Sequence, residues 1–202
     1  ENIDSQENSN LIELVDQALT HKSANLNYNY EFLEFYGDAV LRLAATEFTK
    51  RFFKKQVVGT CSFVRGQLVS DKWLSNLGRQ IGVQDLIVCG NDAKNDPNAW
   101  QSICADSIEA LVGALYQHFQ SLSIVNNWLD PHWHQTCVAI TKNPTLYKPK
   151  SALQEWSQSH SLGLPSYHTV EVNQLHGNKE RFKSVVVVQN KVNSKGSGQS
   201  RK

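Results

Sequence analysis

The sequence predicts an all-α domain followed by a small α+β domain with the element order α-β-β-β. In the first domain, apolar residues recur at intervals of three and four, and no strand-like alternation occurs before residue 145, as expected for amphipathic helices. After residue 160, alternating and β-branched stretches replace this pattern and indicate strands. Pro144 and Pro149 separate the two patterns, and we therefore predict domains at 1–143 and 149–202 joined by a linker at 144–148.

Helices are predicted in the first domain over residues 10–23, 30–53, 61–70, 71–81, 100–121 and 124–143. Gly82, Asp96-Pro97 and Asp130-Pro131 are predicted to interrupt the helical pattern, and the asparagine-rich residues 25–29 to form a loop. The segment 30–53 is apolar around much of its circumference. Such a helix lies in the middle of a domain or at a contact between subunits.

The second domain is predicted to begin with a helix over residues 151–160 and to continue with strands over 167–173 and 182–189, with a third strand opening at Val192. A second helix would be expected to cover the sheet, since three strands and one helix have little core of their own. The sequence stops where that helix should begin. The second domain is therefore predicted to be incomplete.

The composition argues against a membrane protein and against a zinc site. No run approaches the roughly 18–20 apolar residues that span a bilayer, and the first ten residues are polar and acidic. The cysteines stand far apart, without a CxxC pair or a histidine at ligand spacing; they are Cys61, Cys89, Cys104 and Cys137. We expect a soluble, cytoplasmic protein with reduced thiols.

The net charge of +1 conceals an uneven distribution. Residues 1–141 contain 10 Lys and Arg against 16 Asp and Glu, a net charge of −6, whereas residues 142–202 contain 10 against 3, a net charge of +7. A basic segment of this kind is either a solvated surface or the binding site of a polyanion, whose condensed counterions are released on binding.

Acidic residues on two predicted helices suggest a metal site. Glu31, Glu34 and Asp38 are three and four residues apart and therefore share one face of the helix over 30–53. Asp106 and Glu109 repeat the spacing on the helix over 100–121. Carboxylates crowded among apolar residues repel one another unless a cation binds them. If the two faces meet, four carboxylates can hold Mg²⁺, which prefers oxygen ligands and can activate water for attack on a phosphate.

Two alternatives to a magnesium site follow from the same residues. Each acid alone is more often a solvated helix residue or a partner of the helix dipole, but pairing on two apolar helices favours a functional site. A di-iron bundle would need a histidine three residues after a glutamate, and neither helix has one. Iron is therefore disfavoured.

The residues around these acids resemble the signature of the bacterial ribonuclease III family. The family core LEFxGDAVL corresponds to LEFYGDAVL at residues 33–41, and ALTHKS at 18–23 precedes it. A second block, ADSIEALVGA at 105–114, also matches. Further along, PKSALQE at 149–155 and GSGQSRK at 196–202 are similar to the two ends of a double-stranded-RNA-binding domain.

The resemblance implies an endoribonuclease that hydrolyses double-stranded RNA with Mg²⁺, or with Mn²⁺ as a substitute, in the processing of ribosomal precursors and messenger RNA. It also implies a homodimer in which each subunit cuts one strand. Asp38 and Glu109 are implied to be catalytic, and Glu31 to lie near a second or transient metal. The implied metal ligands are Glu34, Asp38, Asp106 and Glu109.

The same resemblance implies RNA-contacting segments in the second domain. A helix with Ser151, Gln154 and Glu155 is expected to read the wide minor groove of A-form RNA, while lysines meet phosphates. At the far end, a helix N-terminus would add backbone amides for phosphate binding; the residues there are Ser200, Arg201 and Lys202. His176, in the loop between the first two strands, is a further candidate.

Some positions depart from the family pattern. Val58 stands where the family usually has a glutamate, which argues against a complete second metal site. Tyr30 and Phe32 replace the usual Asn and Arg beside Glu31, and Tyr36 replaces Leu. The four central acids are retained, so cleavage is expected. The alternatives are a protein of the same fold that binds double-stranded RNA without cleaving it, and a nuclease for short or structured RNA that relies little on its binding domain.

Overall fold

The computed structural model describes residues 2–24, 27–54, 58–175, 178–189 and 191–200. The chain divides into two compact units, Glu1–Ala139 and Ile140–Lys202, and each is described by itself. The first unit is helical and the second combines helices with a three-stranded sheet, as predicted. Within the described ranges, no helix is both long enough and apolar enough to cross a membrane.

The described part of the first unit is built from α-helices joined by short connections. Two 3₁₀ turns, Lys22–Ala24 and Val83–Asp85, lie between them. The last helix runs across the boundary into the second unit. The helices are α1 (Asn2–Ala18), α2 (Glu31–Phe52), α3 (Val58–Leu68), α4 (Asp71–Gln80), α5 (Asn91–Asn95), α6 (Pro97–Phe119) and α7 (Leu122–Lys142).

The helix α6 is the centre of this unit. Helices α1, α2, α4 and α5 all pack against it, and the contact with α2 is the most extensive. Buried residues therefore occur on several sides of α6, as expected for a helix surrounded by others. They include Ile103, Cys104, Ala105, Ser107, Ile108, Ala110, Val112 and Ala114.

The helix α7 continues through Pro131, and the predicted interruption at Asp130-Pro131 is wrong. A proline inside a helix costs about 3 kcal/mol, because it removes a backbone hydrogen bond and clashes with the preceding turn. Core side chains on both sides of Pro131 offset this cost, since each buried apolar side chain contributes about 1.5–3 kcal/mol. They are Val125, Leu129, Trp133 and Cys137, all 0% exposed.

The first helix lies closer to the N-terminus than predicted. It spans Asn2–Ala18 instead of 10–23. The prediction missed the residues before Asn10 because they are mostly polar and show no apolar period. At its other end, the chain leaves the helix to form a parallel bridge between Thr20 and Val88. The His21 amide donates to the Val88 carbonyl at 2.9 Å. This pairing between residues far apart in sequence ends the helix, and no local sequence pattern predicts the pairing.

The second unit contains α8 (Pro144–Tyr147), α9 (Pro149–Ser159) and an antiparallel sheet in the order β1-β2-β3. The strands are β1 (Ser166–Glu171), β2 (Phe182–Val188) and β3 (Lys191–Gly198). The pairing of β2 with β3 is irregular between Val186 and Val187. The segment 144–148, predicted as a linker, thus contains a short helix, whereas the predicted third strand is confirmed and begins one residue before Val192.

Candidate active site

Two glycines let α2 and α6 approach to backbone contact. A Cβ added at Gly37 of α2 would overlap the carbonyl oxygen of Glu109 on α6, and one added at Gly113 of α6 would overlap the carbonyl oxygen of Leu33 on α2. Every other residue type carries a Cβ, so glycine is required at both positions. The close crossing brings the acidic face of α2 against the acidic face of α6.

Three carboxylates meet at this crossing. One oxygen each from Glu34, Asp106 and Glu109 lies within 4.8 Å of the others. All three residues are half-buried, so water screens their mutual repulsion only in part. We call this group the inner cluster. It brings together three of the four central ligands expected from the sequence.

The two other acids of α2 are paired with cations. Asp38 accepts hydrogen bonds from Nε of Arg42 on both carboxylate oxygens, each at 2.8 Å. Glu31 accepts one from Nζ of Lys22 at 2.9 Å. The charge of Asp38 still raises the pKa of Glu109. Asp38 therefore lies beside the inner cluster, while Glu31 is held at its outer side by Lys22.

The electrostatics of the inner cluster favour protonation or a bound cation. Burial, followed by the charges of Asp38 and Asp106, raises the pKa of Glu109 to about 8. Burial is also the first cause that raises the pKa of Glu34 and the pKa of Asp106 above their usual range. The ionised carboxylates repel one another, and a divalent cation would relieve that repulsion.

A buried tyrosine reaches the same cluster. The hydroxyl of Tyr30, the residue before α2, donates to Oδ2 of Asp106 at 3.2 Å. This hydrogen bond lowers the pKa of Asp106 against the larger effect of burial. Burial and the charge of Asp106 raise the pKa of Tyr30 itself, so the hydroxyl stays a donor. The sequence marks Tyr30 as a departure from the family pattern but has no signal for this contact.

The spacing of the acids did not predict that other charged residues also lie near the cluster. Arg42 follows Asp38 by four residues on one helix, a spacing at which an ion pair could have been predicted. Lys22 reaches Glu31 from outside the helix. Asp71, the first residue of α4, raises the pKa of both Asp106 and Glu109. The fold alone brings Lys22 and Asp71 to the site.

The donor set of the inner cluster fits Mg²⁺. This hard cation takes oxygen ligands and is commonly bound through one or a few carboxylates while keeping several waters. Among the described residues, the cluster consists of carboxylates without a cysteine or histidine, whereas zinc sites commonly include those ligands. Glu34, Asp106 and Glu109 are the residues that can hold the ion.

The predicted RNA-contacting residues belong to the second unit. Ser151, Gln154 and Glu155 are exposed on α9, and their spacing puts them on one face of that helix. Ser200 is exposed after β3. His176, Arg201 and Lys202 lie outside the described residues.

Comparison with known proteins adds an independent line of argument. The Ribonuclease-III-like family matches residues 12–123, more than half of the chain, and the double-stranded RNA binding motif matches residues 149–202. A ribonuclease 3 of Prochlorococcus marinus is 44% identical over 191 residues, which cover 95% of this chain and 77% of the relative. This chain belongs to the ribonuclease III family.

Further members of the ribonuclease III family show the same likeness. A ribonuclease 3 of a Nostoc species is 38% identical, over 93% of this chain and 78% of the relative. The nuclease domain of ribonuclease III from Campylobacter jejuni superposes with a TM-score of 0.54 at 32% identity, over 62% of this chain and 92% of that chain. Membership of the family makes the protein an endoribonuclease, and the non-cleaving alternative is not favoured.

Proposed function

We propose that this ribonuclease III hydrolyses phosphodiester bonds of double-stranded RNA with the help of Mg²⁺, for which Mn²⁺ can substitute. The observation that carries the proposal is the approach of the Glu34, Asp106 and Glu109 carboxylates to within 4.8 Å of one another. Ionised carboxylates this close and half-buried are unfavourable unless a cation compensates them. The RNA-binding motif matched at residues 149–202 supports a duplex substrate.

In this proposal, the inner cluster would hold the ion, and Asp38 would be a fourth ligand in place of its ion pair with Arg42. Mg²⁺ bound there would supply an activated water and offset the negative charge of the reacting phosphate. Asp38 and Glu109 are the proposed catalytic pair, as the family resemblance implies, and the charge of Asp38 is the largest effect on the pKa of Glu109 after burial. The two carboxylates are therefore close enough for their charges to interact.

One ion per site is the arrangement that these residues favour. Glu31 is already paired with the ammonium of Lys22, which balances its charge. Val58, at the start of α3, is 84% exposed and offers no oxygen ligand from its side chain. A second or transient ion near Glu31 would have to displace Lys22, so we expect it to bind more weakly than the first.

The second unit is proposed to position the duplex. Ser151, Gln154 and Glu155 are short or medium polar side chains exposed on one face of α9, as needed to read 2′-hydroxyls in a wide groove. The residues 142–202 carry a net charge of +7, which favours phosphate contacts. Ser200, His176, Arg201 and Lys202 remain predictions for further contacts with the RNA backbone.

A homodimer is proposed from an exposed apolar stripe on α2. The stripe consists of Phe32, Phe35, Ala39 and Leu43, which recur at three and four residues and are exposed. Phe32 and Phe35 are 70% and 75% exposed, and their rings lie 6.4 Å apart. Exposed apolar patches mark contacts with other molecules, and the Campylobacter jejuni domain is described with a region involved in dimer formation. Each subunit would then cut one strand.

The setting of the reaction is proposed as well. Among the described residues, no disulfide joins the four cysteines, as is usual in the reducing cytoplasm, and we propose that the protein acts there. Precursors of ribosomal and messenger RNA, which contain duplex regions, are the proposed substrates.

The test is cleavage of end-labelled duplex RNA by the whole chain in Mg²⁺ and in chelator, with one strand alone as a second substrate. Glu109→Gln keeps the size of the side chain and removes its charge. We expect cleavage to fall at least about a hundredfold, because even residues that merely orient a metal ligand are commonly worth 10- to 100-fold. Binding of the duplex in a mobility-shift experiment should persist, since the RNA-binding motif lies in the second unit.

The matched control is Glu47→Gln, which changes an exposed acid of α2 outside the inner cluster and should cleave at the wild-type rate. Binding of duplex without cleavage in either Mg²⁺ or Mn²⁺ would overturn the proposal in favour of the non-cleaving alternative. Cleavage of the single strand at the same rate as the duplex would contradict the proposed specificity for double-stranded RNA.

A further inference from the structure

Tyr30 is fixed on three sides before its hydroxyl reaches the inner cluster. Its side chain is 2% exposed, and its ring packs against that of His21 with 5.4 Å between the centroids. Its backbone amide donates to the Thr20 carbonyl at 2.9 Å, and its carbonyl accepts from the Glu34 amide at 2.8 Å. The hydroxyl therefore projects from a rigid position onto Oδ2 of Asp106.

The hydrogen-bond partner of Asp106 differs in kind from the partners of Glu31 and Asp38. Glu31 and Asp38 are held by the cations Lys22 and Arg42. Asp106 is held by a neutral hydroxyl, which satisfies one carboxylate oxygen without balancing its charge. A divalent ion can then bind the inner cluster without first displacing a positive group. Repulsion from Glu34 and Glu109 would otherwise turn an unheld carboxylate away from them.

We propose that Tyr30 is a positioning residue that holds the Asp106 carboxylate in the orientation needed for the metal ion. The inference rests on the proposed function, since it assumes that the inner cluster binds Mg²⁺ or Mn²⁺. Hydrogen bonds from outside the ligand set orient metal ligands, and their loss commonly weakens metal binding or activity by 10- to 100-fold. Tyr30 itself touches neither the ion nor the RNA in this role.

The experiment compares Tyr30→Phe with the wild-type chain. The substitution retains the buried ring and removes the hydroxyl alone. We expect the dissociation constant for Mn²⁺, measured by calorimetry without RNA, to rise about 10- to 100-fold. The Mg²⁺ concentration for half-maximal cleavage should rise by a similar factor, with KM for RNA unchanged. Saturating Mg²⁺ should restore kcat, which a general structural defect would not permit.

Tyr28→Phe is the matched control, because the Tyr28 hydroxyl donates to the backbone carbonyl of Glu13 and not to an acid of the inner cluster. Its Mn²⁺ affinity should equal that of the wild type, and thermal unfolding followed by circular dichroism should show both variants folded. Wild-type Mn²⁺ affinity in Tyr30→Phe, while the wild-type chain binds and cleaves, would overturn this inference alone. A wild-type chain that neither binds Mn²⁺ nor cleaves would overturn the proposed function and this inference with it. Should Tyr30→Phe fail to fold, Tyr30 would have a structural role, and the inference would be wrong.

Discussion

The ionisation of each acid at the site depends on the residues around it. Glu31 and Asp38 each gain an ion pair, so their charges are balanced within the protein. Glu109 is half-buried on α6; burial, followed by the charges of Asp38, Asp106, Glu34 and Asp71, raises its pKa to about 8. The difference between balanced and unbalanced acids has consequences for stability that can be measured.

At the residue scale, the metal-free protein should lose stability as pH rises from about 4.5 to about 8. The pKa of Glu109 is about 8 in the folded protein against 4.5 as its ordinary value. Between these values the folded protein binds more protons than the unfolded chain, so the free energy of unfolding falls with rising pH. Urea denaturation in chelator across this range measures the slope.

The same slope should be smaller in Glu109→Gln, which cannot ionise. It should not vanish, because the pKa values of Glu34 and Asp106 are raised as well. Added Mg²⁺ should restore stability most strongly at the upper end of the range, where the carboxylates are ionised. A wild-type free energy of unfolding that rises from pH 5 to 8 in chelator would contradict this account of the cluster.

At the scale of the elements, the site depends on how closely α2 and α6 cross. The crossing is set at Gly37 and Gly113, whose missing side chains admit backbone atoms of the opposite helix. Side-chain chemistry alone would not bring Glu34 within reach of Asp106 and Glu109. The spacing of the acids and the position of the glycines are therefore parts of one arrangement.

Gly37→Ala should destabilise the protein by about 1–3 kcal/mol, the usual cost of forcing extra volume into a packed interior. The added Cβ would meet the Glu109 carbonyl, so the helices must separate and cleavage should fall with stability. Denaturant unfolding and the cleavage assay measure the two effects. A fully active Gly37→Ala protein of wild-type stability would show that the crossing is not tight.

The matched control is Gly66→Ala on α3, where an added Cβ meets nothing within 4 Å. Alanine is the better helix former by about 1 kcal/mol, so this variant should be as stable as the wild type or slightly more so. The contrast between the two substitutions separates the effect of the crossing from the general effect of replacing glycine in a helix.

At the scale of the whole molecule, charge and apolar surface are both unevenly distributed. Residues 1–141 carry a net charge of −6 and residues 142–202 a net charge of +7. Net charges of these signs attract a polyanion to one part of the chain and repel it from the other. The apolar surface includes the exposed stripe Phe32, Phe35, Ala39 and Leu43 on α2.

Phe35→Asp should weaken self-association if this stripe is the dimer contact. Phe35 is 75% exposed in the single chain, so the change should leave the fold intact. Losing a central aromatic contact commonly costs 2 kcal/mol or more, which corresponds to a rise of at least about thirtyfold in the dimer dissociation constant. Sedimentation velocity at micromolar concentration measures it.

Ile12→Asp on α1 serves as the comparison, since Ile12 is 68% exposed but lies outside the stripe. It should sediment like the wild type. A wild-type chain that is already monomeric at micromolar concentration would rule out the proposed homodimer, and equal association of both variants would place the contact elsewhere.

Much of the fold and part of the site could be predicted from the sequence by itself. The apolar period determined most of the long helical segments, since burying one face requires that spacing, but it missed the start of α1 and the short helices α5 and α8. The change to alternating apolar and polar residues predicted the strands of the second unit. The three- and four-residue intervals between the acids determined which of them share a helix face. The residue motifs pointed to the family, because long blocks of matching residues seldom arise by chance.

The tertiary structure decided what depends on contacts between distant residues. It continued α7 through Pro131 because core burial outweighs a local penalty, and it ended α1 at a bridge to Val88. It also brought the three acids of the inner cluster together and paired Asp38 with Arg42. The hydrogen bond between Tyr30 and Asp106 joins residues 76 positions apart in the sequence. Local periodicity reports which face of a helix is buried, but the partner of a side chain on that face is chosen by the packing of the whole unit.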